Sequence, residues 1–78
     1  MDRFQVRGQL LAKRYTLIQI AAELGVSRQR VSLVVNGHYL DRRVMTHIAG
    51  ILEQDPVTVF PWAAHLFNSP EIPQSRAY

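Results

Sequence analysis

Cysteine is absent from the 78 residues, which excludes disulfides, thiolate nucleophiles and cysteine-ligated zinc. No apolar run approaches the ~18 residues that a membrane span requires. Asp2, Arg3 and Arg7 interrupt the N-terminal stretch that a secretion signal would keep apolar, so the cytoplasm is the expected compartment and no membrane partner is expected. The three histidines, His38, His47 and His65, show neither His-x-x-x-His spacing nor a neighbouring carboxylate pair, and no metal site is expected. No nucleophile stands beside a base and no glycine-rich loop is present to cradle a phosphate. Catalysis, a cofactor and a small-molecule substrate are therefore not expected. Internal repeats and low-complexity runs are also missing.

What remains is one small domain. An apolar content of 47% argues for a folded chain, at a size where a single core is barely sufficient. Nine Lys/Arg face six Asp/Glu, a modest net charge of +3, but the distribution is uneven. Arg28, Arg30, Arg42 and Arg43 lie between Ser27 and Arg43 against the single acid Asp41, the footprint of a surface that meets phosphate.

The chain is organised around residues 16–37, TLIQIAAELGVSRQRVSLVVNG. Thr16 and Gln19 have capping-box spacing, and Tyr15 and Ile20 can close a hydrophobic staple around them, so a helix is predicted from Leu17. Leu17, Ile20, Ala21 and Leu24 form its i, i+3, i+4, i+7 stripe. Gly25 follows where a helix ends in a left-handed residue, Val26 points inward, and Ser27 caps a second helix over Arg28 to about Val35. Val31, Val34 and Val35 form the inner side of that helix. Ser27, Arg28, Gln29, Arg30, Ser32 and Leu33 form its outer side. Asn36 and Gly37, both tolerant of positive φ, end it.

Around this pair, an N-terminal helix is predicted over residues 2–14, with Phe4, Leu10 and Leu11 as core contacts and Arg3, Arg7, Lys13 and Arg14 on the wet side. A further helix runs from its N-cap Asp41 to about Glu53 on the stripe Val44, Ile48, Ile51, Leu52, with Pro56 as its stop. One helical turn within residues 55–62 lids the bundle, and Pro61 can start another helix through Trp62, His65 and Leu66. Residues 1–67 form the domain with its apolar C-terminal segment, and 68–78, with two prolines and no periodicity, read as a flexible tail. The fold class is all-α, a compact bundle of four to five helices.

Residues 15–62 resemble the helix-turn-helix domains of the lambda repressor-like family. The likeness rests on Ala21 where the helices touch, Gly25 at the turn, Val26, Val31 and Val34 as core contacts, and Asn36-Gly37 closing the second helix. Phe60-Pro61-Trp62 adds a looser likeness to Ner-like phage regulators. Leu17 departs from the polar residue common in the family at that position, and Thr16 can take over its contact. The resemblance implies a sequence-specific, double-stranded DNA-binding transcriptional regulator, a repressor or phage-type control protein, bacterial or phage-encoded and nucleoid-associated.

In such a protein the second helix enters the major groove, where base edges distinguish all four pairs. Arg28 can grip guanine O6 and N7, Gln29 can pair with adenine N6 and N7, Ser32 can reach a base edge, and Leu33 a thymine methyl. Thr16, the Leu17 amide, Ser27, Arg30, Asn36, His38, Tyr39, Arg42 and Arg43 are the expected phosphate contacts. One domain reads few base pairs, so a homodimer on half-sites ~34 Å apart is expected. Phe60, Trp62, Leu66 and Phe67 are the candidate seam, unless Phe60 and Trp62 finish the core instead. The alternative is a non-enzymatic helical module for protein interaction or DNA-packaging assembly, which would bind duplexes with little sequence preference.

Overall fold

Four helices, each started by a polar cap, carry the chain in the computed structural model, which describes residues 1–67. Asp2 caps α1 (Arg3–Ala12) in a full capping box with Gln5. Thr16 and Gln19 form the same box at the start of α2 (Leu17–Leu24). Ser27 caps α3 (Arg28–Val35) by accepting from the Arg30 amide at 3.1 Å, and Asp41 caps α4 (Arg42–Leu52). Asp55 caps the single turn α5 (Pro56–Val59), and a 3-10 segment, Pro61–Leu66, follows with a kink at Ala63. The described residues are helical with no strand, as the apolar periodicity requires.

The same device ends all four main helices. A left-handed residue follows the last turn, and the amide beyond it bonds back five residues: Tyr15 to Leu10 oxygen, Val26 to Ala21, His38 to Leu33 and Gln54 to Ala49, at 2.9–3.0 Å. This is the Schellman geometry, which satisfies carbonyls left over at a helix end. Glycine fills the left-handed position after α2 and α3, at Gly25 (φ 69°) and Gly37 (φ 81°). Arg14 (φ 59°) and Glu53 (φ 57°) fill it after α1 and α4, in a conformation that costs a side-chain-bearing residue about 1–2 kcal/mol.

The core contains no buried polar or charged residue among those described. Val6 and Leu10 of α1, Ile20 and Ala21 of α2, Val31, Val34 and Val35 of α3, and Val44, Met45, Ile48, Ala49 and Leu52 of α4 meet at its centre. Val59, Phe60 and Ala63 close it. Leu17, Leu24, Val26 and Ile51 pack against it while half-buried.

Several sequence expectations are corrected. Phe4 and Leu11 are 69% and 75% exposed, because Val6 and Leu10 provide the inner stripe of α1 and the 4–8–11 face points outward. Pro56 does not stop α4; the left-handed Glu53 does, and Pro56 opens α5, where its missing N–H is not needed. Asn36 keeps a right-handed helical backbone (φ −83°), leaving the positive φ to Gly37 alone. Phe60 is wholly buried in its own chain, which removes it from the candidate seam. The tail expected at 68–78 lies outside the described residues.

Candidate nucleic-acid interface

The turn from α2 to α3 takes three residues, Gly25 to Ser27, and the two helices pack directly on each other. Val31, Val34 and Val35 anchor α3 from beneath, so its opposite face is held toward solvent. Arg28 and Gln29 occupy the first turn of that face. Both are exposed, and neither side chain has an intrachain hydrogen bond or ion pair among the described residues.

Their neighbours are more engaged. Ser27, Gln29, Arg30, Leu33 and Tyr39 surround a shallow depression of about 230 Å³. Leu33 and Tyr39 are 37% and 44% exposed. The Arg30 guanidinium lies 5.4 Å from the centre of the Tyr39 ring and 3.6 Å from an Asp41 carboxylate oxygen. Ser32 is half-buried, and its hydroxyl accepts from Asn36 Nδ2 at 3.4 Å.

The remaining expected contacts fall into separate groups. Thr16 and Leu17 line a groove with Arg28, on the flank of α3 away from Tyr39. The Thr16 hydroxyl both accepts from the Gln19 amide (3.0 Å) and donates to Gln19 Oε1 (3.2 Å). Thr16 is therefore satisfied within the chain, while helix geometry leaves the Leu17 amide without an intrahelical acceptor. Arg42 and Arg43 line a third depression with Leu24, Thr46 and His47, and Arg42 also lies 5.9 Å from the Phe67 ring centre. Asn36 is turned toward the other end of α3, where it shares a groove with Trp62 and the first residues of the chain. His38 is exposed, and its amide closes α3.

The acids of the described residues are engaged within the chain, all but Asp41 away from α3. Asp2, Asp41 and Asp55 cap helices, and Glu53 sits 4.0 Å from Lys13. Glu23 accepts from the Tyr15 hydroxyl and meets His47 Nε2 at 2.6 Å, on the side of α2 that faces α4. The Tyr15 hydrogen bond and then that of His47 hold the Glu23 carboxyl below its usual range, and the Glu23 hydrogen bond raises the Tyr15 hydroxyl in turn. Arg7, Arg28 and Arg43 have no carboxylate partner among the described residues. The result is a surface around α3 with fixed cations and one carboxylate, Asp41, already engaged twice.

Sequence reasoning placed Arg7 only on a wet face, yet it lines the same groove as Arg28. The signal that finds it is the packing of α1 against α3 and α4, which no spacing within α1 contains. Among the described residues no group of histidines and carboxylates is placed to hold a metal, and no helix is long and apolar enough to cross a membrane. No family model, no curated protein and no solved structure matches the chain.

Proposed function

We propose that the chain is a sequence-specific transcriptional regulator that binds double-stranded DNA, with α2 and α3 acting as a helix-turn-helix in a lambda repressor-like bundle. The observation that carries the reading is the freedom of Arg28 and Gln29: forked donors in the first turn of a helix braced from below, with no partner in their own chain. Arg28 and Gln29 read bases in the major groove, with Leu33 and Ser32 one turn further on. Arg43, Arg42, His38 and the Leu17 amide supply the phosphate contacts that set register. Arg30 and Tyr39 act as a pair, since the ring holds the guanidinium at the edge of the reading helix. The regulator works as a homodimer on two half-sites, with Trp62, Leu66 and Phe67 at the seam. Such an assembly suits a repressor or a phage-type control protein.

The test is selection of bound duplexes from a random pool, followed by affinity measurement over a range of salt. A regulator enriches one sequence, prefers it over bulk DNA by about 10³-fold or more, and binds with an affinity that falls steeply with salt. Failure to enrich any sequence overturns the reading and favours a helical interaction module, for which the exposed Phe4, Leu11 and Ile18 would be the surface.

A further inference from the structure

The groove between α1 and the start of α2, about 390 Å³, is lined by Arg7, Gly8, Leu11, Thr16, Ile18 and Arg28 among others. Its two guanidinium groups come from different helices, neither is paired, and no acid lines it. Leu11 and Ile18 are among the most exposed large apolar side chains of the chain, at 75% and 64%. Gly8 leaves open space where a side chain would stand. The Leu17 amide, at the positive end of α2, adds a donor at the rim.

A ligand for this groove must offer negative charge to two arginines and apolar surface to two aliphatic side chains. A nucleic-acid strand does so in alternation, with phosphate oxygens separated by the apolar faces of deoxyribose. We propose that α1 belongs to the DNA interface: Arg7 clamps a backbone phosphate beside the strand that Arg28 reads, and Leu11 and Ile18 rest on the intervening sugar. The clamp rests on the reading of α3 given above and extends it to a helix outside the reading unit. It fixes the tilt of α3 from a depression separate from the one that Arg42 and Arg43 line.

The experiment compares the full chain with Arg7→Ala, with Lys13→Ala as a control, on the selected duplex and on a scrambled duplex of equal length. Both substitutions remove one cation from the same end of the sequence, but Lys13 lies outside the groove and faces Glu53. Arg7 is exposed on a helix, so alanine leaves the fold intact. Arg7→Ala is expected to weaken both duplexes by the same factor and to reduce the slope of log affinity against log salt by about 0.9, with Lys13→Ala close to the parent. Equal losses in the two variants would assign the effect to net charge and overturn the clamp, as would an unchanged slope in Arg7→Ala. If the parent binds no duplex, the reading of α3 fails and the clamp with it. A glutamate-rich amphipathic peptide serves as a competing probe. Should it bind the parent and not Arg7→Ala while duplex binding is unaltered, the groove serves a protein partner and the clamp is overturned.

Discussion

Arg30 and Asp41 join α3 to α4 through one carboxylate: Oδ2 lies 3.6 Å from the guanidinium, while Oδ1 accepts from the Arg43 and Val44 amides at 3.0 and 3.3 Å. The two functions can be separated by substitution. Asp41→Ala loses the cap, at a cost of about 1 kcal/mol, which in a domain of this size lowers the melting temperature by about 4–8 °C. Asp41→Asn keeps a capping oxygen and loses only a partly exposed ion pair worth about 1 kcal/mol, so its melt stays near the parent's. Both variants release Arg30 and remove the one carboxylate beside it, and both should bind any duplex more tightly than the parent does. Thermal melts and duplex titrations on the two variants check this together.

Arg28→Ala combined with Gln29→Ala should erase preference between the selected and scrambled duplexes while leaving the circular dichroism spectrum and much of the non-specific binding in place. Arg42→Ala should instead weaken both duplexes alike. Selection by the double variant of the parent's site would refute the base-reading roles, and a sequence-selective loss in Arg42→Ala would refute its phosphate role.

The Tyr15, Glu23 and His47 side chains tie the α1–α2 corner and α2 to α4, and this gives stability a defined pH dependence. Glu23 titrates lower in the folded chain than the ordinary glutamate value of 4.5, so the unfolded chain takes up its proton first as pH falls. The contribution is present above that value and is lost as pH drops through the folded value. Tyr15 titrates higher in the folded chain than 10.0, so its contribution is present below pH 10 and is lost as pH rises through the folded value. Urea midpoints measured across both windows should fall more gently in Glu23→Gln than in the parent at the acid end, and Tyr15→Phe should flatten the alkaline end.

The four left-handed helix ends respond to substitution in opposite directions. Gly25→Ala places a side chain at φ 69° and should lose about 1–2 kcal/mol, although nothing lies within 4 Å of the added carbon. Glu53→Gly removes that same strain at φ 57° and should gain up to about 1 kcal/mol, set against an exposed Lys13 contact of little worth. Denaturant unfolding of the two variants measures both signs.

The helix boundaries of residues 16–37 were legible because capping chemistry is local: Thr16 with Gln19, Gly25, Ser27 and Gly37 each announce an end through side chains a few residues apart. Arg14 and Glu53 make the same backbone turn without the residue type that signals it, so the sequence carries α1 on to residue 14 and offers Pro56 as the stop of α4, although it does place the end of α4 near Glu53. The face of α1 is ambiguous in the sequence for a different reason. Phe4 and Leu11 share one side of the helix and Val6 and Leu10 another, and both stripes are apolar; only the position of α4 and α3 decides which is covered. The candidate site was legible in its residue types, since Arg28, Gln29 and Arg30 sit in one turn. Its division was not. That Arg30 is held by Asp41 and Tyr39 and that Arg7 lines the same groove as Arg28 depend on contacts between elements, while the Asn36–Ser32 bond is a local i, i+4 pair.

Trp62 is the sole tryptophan of the sequence; its indole nitrogen is buried without an acceptor among the described residues, and its ring lies within 4 Å of where a side chain on Gly37 would begin. The chain thus carries its own optical label at the far end of α3. Emission from that ring can follow both unfolding and any shift of α3 when a duplex is added, with no dye attached.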